Sequence, residues 1–164
     1  MTLETRNRRP EAGFALLIAV IFMSVMLAFG LALGSLAYKQ QILSSSARQS
    51  HYAFYAADAA LECALYADQK QGLFAYKSEP EGAPTMTCEG LPATSDLLFR
   101  DAERWVISQR VSLNEDTACA DVTISKPSGA GAHFIFSQGY DVSCAVVADP
   151  QGARFVARGI NVRY

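Results

Sequence analysis

The hydrophobic pattern changes twice along the chain, and its first part is a long uncharged run. Residues 14–38 are 25 consecutive positions without a formal charge, most of them apolar. At about 1.5 Å of rise per residue, a helix of this length spans the roughly 30 Å of hydrocarbon in a bilayer. The run therefore predicts a transmembrane helix over residues 14–38.

The basic residues around this run predict its orientation. Arg6, Arg8 and Arg9 precede it, whereas the next basic residues, Lys39 and Arg48, follow it sparsely. Positive charge near a membrane helix favours the cytoplasmic side. We therefore expect a single-pass protein of the inner (cytoplasmic) membrane, with a short cytoplasmic N-terminus and its C-terminus outside.

A cleaved secretory signal is the alternative interpretation of the same segment. Ser35-Leu36-Ala37 has the small-x-small form that cleavage sites use. The apolar core of an ordinary signal, however, runs about 7 to 15 residues, and here the helical period continues past Ala37. We therefore favour a retained anchor over a removed signal.

After the uncharged run, the apolar residues narrow to a single stripe. They recur every three or four positions, which is the period of one face of an α-helix. Because no proline or glycine interrupts residues 35–71, the pattern predicts one continuous helix over residues 14–71, with 39–71 as its amphipathic half. Gly72 then follows as a left-handed cap residue. The predicted stripe contains Leu43, Ala47, Ser50, Phe54, Ala57, Leu61, Ala64 and Leu65.

Towards the C-terminus the pattern becomes one of loops and strands. Residues 72–94 contain three prolines and little periodicity, which predicts a connecting loop. From Trp105 onward apolar residues alternate in short runs separated by turn sequences. Short links imply antiparallel neighbours, so residues 95–164 are predicted to form an antiparallel meander of about four strands. The alternating positions include Trp105, Ile107, Val111, Leu113, Val122, Ile124, Phe134 and Phe136.

The two patterns together predict an α+β fold. A sheet of this kind has one apolar face that must be covered. The amphipathic half of the helix, residues 39–71, carries the only large apolar stripe available to cover it. We therefore expect this half of the helix to pack on the C-terminal sheet.

Four cysteines, Cys63, Cys88, Cys119 and Cys144, all follow the membrane segment. That side is oxidising in the predicted orientation, and an even number favours two disulfides. Of three connectivities, we favour Cys63–Cys88, because a loop that leaves a helix returns near it. We pair Cys119 with Cys144, because hairpin pairing with a bulge near Gly139 brings them close. A metal site is disfavoured, because no Cys-x-x-Cys pair is present.

Charge and motif content argue against several classes of function. The net charge is -2, and no basic cluster suggests nucleic-acid binding. Hydrolase, zinc-protease and phosphate-loop signatures are missing from the sequence, so we expect no enzymatic activity, no cofactor and no metal. Asp58 and Glu62, four residues apart, are interpreted as part of a solvated helix face. His51 and His133 are interpreted as surface or satisfied residues.

The junction Gly13-Phe14-Ala15-Leu16-Leu17-Ile18-Ala19 stands behind a basic leader and ahead of a long helix and a predicted sheet. In this arrangement the chain resembles type IV pilin and pseudopilin precursors. The stretch Tyr52-Ala53-Phe54-Tyr55-Ala56-Ala57-Asp58-Ala59-Ala60-Leu61-Glu62 is similar to the helix of PilX-type minor pilins. The resemblance covers the whole predicted architecture.

The resemblance implies a processing step. A prepilin peptidase would cut after Gly13, remove the leader of residues 1–13 and methylate the new amine of Phe14. Gly13 has no side chain to obstruct the protease, and the cut removes charges that hold this end in the cytoplasm. The implied partners are the membrane, prepilin peptidase, other pilin subunits and the inner-membrane pilus assembly platform. The implied destination is a cell-surface or periplasmic filament with a role in cell adhesion.

One position departs from the family pattern. Most pilins carry glutamate as the fifth residue after the cut, where it is thought to meet the amine of a neighbouring subunit, but here that position is Ile18. A buried amine without a carboxylate partner costs on the order of several kcal/mol. Ile18 therefore argues against an abundant repeating subunit and suits a minor pilin or a subunit at the filament tip, as in K-type pseudopilins.

Gly30 and Gly34 form a Gly-x-x-x-Gly motif that could bring two membrane helices close together. An equally good interpretation is that two glycines merely loosen an apolar helix. In pilins the corresponding stretch loses helical structure on assembly, which glycine would ease.

Two other functions remain open at this point. The first is a pseudopilin of a type II secretion system, which pushes exported proteins instead of forming a surface fibre. The second is a single-pass, membrane-anchored extracytoplasmic binding protein without any filament. Such a protein would keep Met1, or would begin near Tyr38 if a signal were removed.

Overall fold

The computed structural model describes residues 12–77 and 82–164. The predicted leader, apart from Ala12 and Gly13, and Pro80 of the predicted loop lie outside these ranges. Residues 12–44 and 45–164 belong to separate compact units. The elements are α1 (Ala12–Gln69), β1 (Thr87–Cys88), β2 (Leu91–Pro92), β3 (Thr94–Arg100), β4 (Arg104–Leu113), β5 (Ala118–Pro127), β6 (Phe134–Tyr140), α2 (Cys144–Ala148) and β7 (Ala157–Arg163).

The long helix predicted from the sequence is confirmed. Helix α1 is continuous over Ala12–Gln69, so it ends two residues before the predicted Gln71. Gly72 has the left-handed backbone expected of a cap, with φ of 61°. The amides of Gly72 and Leu73 donate to the carbonyls of Asp68 and Ala67 at 3.2 and 3.0 Å, which satisfies carbonyls at the helix end.

Residues 12–44 form a helix whose apolar side chains are exposed. Phe14 is 70% and Met23 73% exposed, and the other large apolar side chains of this segment are exposed as well. By length and composition this is the one helix in the described chain that can cross a membrane, with a mean hydropathy of 2.8 in its most apolar window. An unpaired apolar surface of this kind fits a membrane anchor.

Residues 45–164 contain a five-stranded antiparallel sheet with strand order β3-β4-β5-β6-β7. The α+β class and the meander are confirmed, but the sheet has one strand more than predicted. Strand β3 was missed because Leu97, Leu98 and Phe99 are consecutive apolar residues without alternation. The pairing register of β3 with β4 shifts at this point, which is a β-bulge. The predicted loop also contains the small β1–β2 hairpin.

The end of α1 covers the sheet through a stripe of small residues. Trp105, Ile107, Val122 and Ile124 face the helix from the sheet and are fully buried, as the alternation predicts. Phe54 was expected in the helical stripe but is 42% exposed, because the buried face is rotated towards the alanines. The buried helix residues are Ala53, Ala56, Ala57, Ala60, Leu61, Ala64, Ala67 and Asp68.

Glycine is required where the helix meets β6. A Cβ atom at Gly139 would lie 2.2 Å from the carbonyl oxygen of Ala53 and 2.3 Å from the amide nitrogen of Ala57. Gly139 pairs with Ala120 on β5, so small residues lie on both sides of the contact. The backbones of helix and sheet are therefore in direct contact at this point.

The expected inward side of β6 was wrong. Phe134 and Phe136 were assigned to the apolar face, but the fully buried residues of this strand are Ile135 and Ser137. At Gly139, on that same face of β6, the backbone of α1 lies so close that no side chain fits. Phe136 instead lies over Gly159 of β7 on the opposite face, where a Cβ would come within 2.9 Å of its ring.

The link from the sheet to Cys144 also differs from the prediction. Strands β5 and β6 pair in continuous register from Cys119 to Ser125, without a bulge at Gly139. Cys144 is the first residue of the short helix α2 and does not end a strand. The chain reaches Cys119 by turning after Tyr140.

A buried amide attaches the loop before β1 to the sheet. Gln109 of β4 is fully buried, and its Oε1 accepts a hydrogen bond from the amide of Met86 at 3.1 Å. Its Nε2 donates to the carbonyl of Pro84 at 2.8 Å and to Oγ of Ser95 at 2.6 Å. With these groups satisfied, a polar side chain is tolerated inside the core.

We expect Gly139→Ala to destabilise residues 45–164, because the new methyl group would overlap the backbone of α1. The free energy of unfolding should fall by about 2 kcal/mol or more. Gly129→Ala is the matched control, since a Cβ there meets no atom within 4 Å. Urea unfolding of the full chain in detergent, followed by the fluorescence of the buried Trp105, measures both. Equal stability of the two variants would contradict the contact.

Candidate functional site

The residues predicted for processing lie at the start of α1. Gly13 and Phe14 are in helical conformation, and Ile18 is one turn further along. Phe14 is 70% and Ile18 47% exposed within this chain. Their roles in cleavage and assembly stay predictions, because cleavage requires a peptidase and assembly requires other subunits.

Gly30 and Gly34 lie on an open helix surface. A Cβ atom at either position would meet no atom within 4 Å in the described part of the chain. Packing within this chain therefore does not require glycine here. Both positions are free to contact another helix or to loosen this one.

Both favoured disulfides are present. Cys63 of α1 is bonded to Cys88 of β1, and Cys119 of β5 is bonded to Cys144 of α2. The first bond holds the β1–β2 hairpin against the helix, and the second holds the segment after β6 against the sheet. Cysteine residues without a partner are not found in the described chain.

Within residues 45–164, a groove of about 520 Å³ lies between α1 and the β4–β5 hairpin. Its helix wall carries two exposed tyrosines, Tyr52 and Tyr55, one turn apart. Its far side carries two carboxylates, Glu89 and Asp141. The complete lining is Tyr52, Tyr55, Ala56, Ala59, Glu89, Leu113, Asn114, Thr117, Ala118 and Asp141.

Glu89 reaches the groove from the β1–β2 turn. It directly follows the disulfide-bonded Cys88 and has a left-handed backbone with φ of 51°. Its Oε2 accepts a hydrogen bond from the amide of Asn114 at 2.8 Å. The disulfide and this hydrogen bond fix the carboxylate between the helix and the hairpin.

Asp141 reaches the groove from the end of β6. Its Oδ1 accepts a hydrogen bond from the amide of Val156 at 2.7 Å, which closes the loop between β6 and β7. Three residues later, Cys144 is bonded to Cys119 at the start of β5. Asp141 is therefore also held beside a disulfide.

The tip of the β4–β5 hairpin forms the third side of the groove in an unusual backbone conformation. Asn114, Glu115 and Asp116 all have positive φ angles, of 52°, 56° and 64°. Such angles are rarely found in consecutive non-glycine residues and persist only where the surroundings hold them. Nδ2 of Asn114 donates to Oγ1 of Thr117, and Oγ of Ser112 donates to Asp116, both at 2.7 Å.

A buried charge cluster at the end of α1 was missed from the sequence. The carboxylate of Asp68 is only 1% exposed and accepts hydrogen bonds from Nζ of Lys126, at 2.7 Å, and from the hydroxyl of Tyr164. Nδ1 of His133 lies 2.9 Å from Nζ of Lys126. His133 is therefore a satisfied residue, as expected. The residues are up to 96 positions apart, so no local pattern could have revealed the cluster.

The environment of Tyr164 changes its acidity. Partial burial, followed by the hydrogen bond to Asp68, raises the pKa of the Tyr164 phenol well above its usual range. Both causes disfavour a second negative charge beside the Asp68 carboxylate. Tyr164 therefore stays protonated and continues to donate to Asp68.

The described residues bring together no metal site. Among residues 12–77 and 82–164, no three His, Cys, Asp or Glu side chains are grouped as metal ligands would be. His51 is exposed and stacks on Tyr55, with ring centroids 6.3 Å apart. Asp58 and Glu62 lie at the edge of the helix surface outside the groove.

Comparisons with known proteins do not assign this chain to a family. No protein-family model, curated protein or solved structure matches this chain. What the fold defines is a pilin-like architecture: a long N-terminal apolar helix continues into a segment that packs on an antiparallel sheet. The apolar helix and the two disulfides indicate membrane anchoring with an extracytoplasmic domain.

We expect Lys126→Met to lower the free energy of unfolding by about 3 to 5 kcal/mol, because it leaves the Asp68 carboxylate buried without its cation. The double variant Asp68→Leu with Lys126→Met should be more stable than Lys126→Met alone. Arg110→Met is the control, since the Arg110–Asp121 pair is partly exposed and should cost about 1 kcal/mol. Equal costs for the two single variants, measured by urea unfolding, would contradict the buried pair.

Removing either disulfide should cost about the same stability. Each bond joins cysteines 25 positions apart, so each restricts the unfolded chain equally, by about 3 kcal/mol in the chain-entropy description. Paired alanine variants at 63 and 88, and at 119 and 144, should therefore show similar losses. Digestion without reduction should release one peptide joining Cys63 to Cys88, and a peptide joining Cys63 to Cys144 would contradict the pairing.

Proposed function

We propose that this chain is a minor pilin-like structural subunit of a type IV pilus or a related filament. The observation that carries the proposal is the continuity of α1. One helix runs from the Gly13–Phe14 junction through the uncharged residues 14–38 and on into the sheet-packed domain. A helix of this kind can be held in lipid first and packed among other helices later.

The exposed apolar surface of α1 supports assembly through this helix. Side chains such as Phe14, Phe22 and Leu31 are more than 60% exposed and have no partner in residues 12–44. Lipid can cover this surface before assembly, and neighbouring apolar helices can cover it afterwards. Gly30 and Gly34, which lie on the open surface of the helix, would allow such neighbours to approach closely.

Ile18 supports a minor role in the filament. At this position most pilins have a glutamate for the amine of a neighbour, whereas Ile18 offers only an apolar side chain. A subunit above it would bury its amine without a carboxylate partner. A subunit at the filament tip has no subunit above it and avoids this cost. For the same reason, a tip pseudopilin of a type II secretion system is the second candidate.

The proposed function predicts a mature protein that begins at Phe14, with or without a methyl group on its amine. N-terminal sequencing and mass analysis of the protein purified from cells test this. Gly13→Leu should abolish cleavage and filament incorporation, because its side chain obstructs the peptidase at the membrane face. Gly30→Ala is the control and should be cut normally. A native protein that starts at Met1 or near Tyr38 would contradict the proposal.

A further inference from the structure

We infer that the groove beside Tyr52 and Tyr55 is a recognition site for an arginine side chain presented by a segment of another protein. The inference concerns residues 45–164 alone. It does not rest on cleavage after Gly13 or on filament formation. A binding protein anchored in the membrane could use the groove equally well.

The first argument is electrostatic. Glu89 and Asp141 each use one carboxylate oxygen for a backbone amide, at 2.8 and 2.7 Å. Their other oxygens, Oε1 and Oδ2, accept no hydrogen bond and meet no cation within the described chain. Lysine and arginine are both missing from the groove lining. The groove therefore has two negative charges without a positive partner.

The second argument is the aromatic wall. Tyr52 and Tyr55 are 64% and 62% exposed, and their spacing of three residues places them as neighbours on one face of the helix. A cation above a tyrosine ring is attracted by the negative face of its π-system. Tyrosine on one side and carboxylates on the other form a site for a cation with a flat face.

The chemistry of the groove lining favours arginine over lysine. A guanidinium is planar, stacks on aromatic rings and can donate several hydrogen bonds to carboxylates at once. A volume of about 520 Å³ also has room for the apolar stem of the side chain and some of the adjoining backbone. Ala56 and Ala59 in the groove lining are small and apolar, so they leave space for such a stem.

The groove is held in its shape before any ligand arrives. Glu89 adjoins the Cys63–Cys88 bond, and Asp141 lies three residues before the Cys119–Cys144 bond. The left-handed tip at Asn114 is fixed by its hydrogen bond to Glu89. Less ordering is then required on binding, which favours affinity for a small cationic group.

The test uses the full chain in detergent micelles and two blocked tripeptides. Acetyl-Gly-Arg-Gly-amide is the probe, and the same peptide with citrulline is its neutral isostere. Amide resonances of Tyr55, Asn114 and Ala118 in proton–nitrogen NMR spectra report binding. We expect saturable shifts of these resonances with the arginine peptide and none with the citrulline peptide. Added salt should weaken the binding.

Variants connect the binding to the two carboxylates. The double variant Glu89→Gln with Asp141→Asn keeps an oxygen acceptor at each position and should bind the arginine peptide about tenfold more weakly. Glu115→Gln is the matched control, since Glu115 lies at the same hairpin tip but outside the lining. Unchanged fluorescence of Trp105 would verify that both variants are folded.

Several outcomes would overturn the inference. Equal shifts with the citrulline peptide would mean that charge is not recognised, and equal weakening by Glu115→Gln would mean that the groove itself is not the site. Calcium chloride that shifts the same amides and blocks the peptide would identify a metal site instead. Shifts that depend on protein concentration alone would identify a second copy as the occupant. None of these results would alter the N-terminus of the mature protein.

Discussion

The direct contact of helix and sheet at Gly139 is the constraint on which the rest of the domain depends. Where the backbone of α1 touches β6, only small side chains fit on the helix, which accounts for Ala53, Ala56 and Ala57. The same contact turns Phe134 and Phe136 to the opposite side of the sheet. It also brings Tyr52 and Tyr55 beside the β4–β5 hairpin, where the groove forms.

A buried ion pair and a disulfide also hold α1 on the sheet. Towards its C-terminal end, α1 is fixed by the buried pair of Asp68 and Lys126. Between this pair and the Gly139 contact, the Cys63–Cys88 bond fixes the helix to β1. A helix segment held at three points has little freedom to move on the sheet. The carboxylates beside it can therefore keep fixed positions without a partner of their own.

The sequence predicted the features that have a local signal. The continuous helix, its cap at Gly72, the alternation around Trp105 and the Cys63–Cys88 pair follow from periodicity, turn residues or spacing along the chain. The Cys119–Cys144 pair was predicted correctly, but through a bulge at Gly139 that β6 does not contain. Strand β3 gave no such signal, because its apolar residues are consecutive and bulged. The inward side of β6 failed for another reason: the space beside Gly139 is set by the helix, not by β6 itself.

The candidate site could not be predicted from the sequence, because it too depends on tertiary packing. Glu89, Asn114 and Asp141 lie on three separate loops, and what brings them together is tertiary packing and the two disulfides. Each alone reads as an ordinary surface residue in a turn. The cysteines were the one sequence signal available, because a carboxylate close to a disulfide-bonded cysteine along the chain is held in a fixed position. Glu89 and Asp141 each use one carboxylate oxygen for a backbone amide, so the second oxygen of each is held in place and stays available to a ligand.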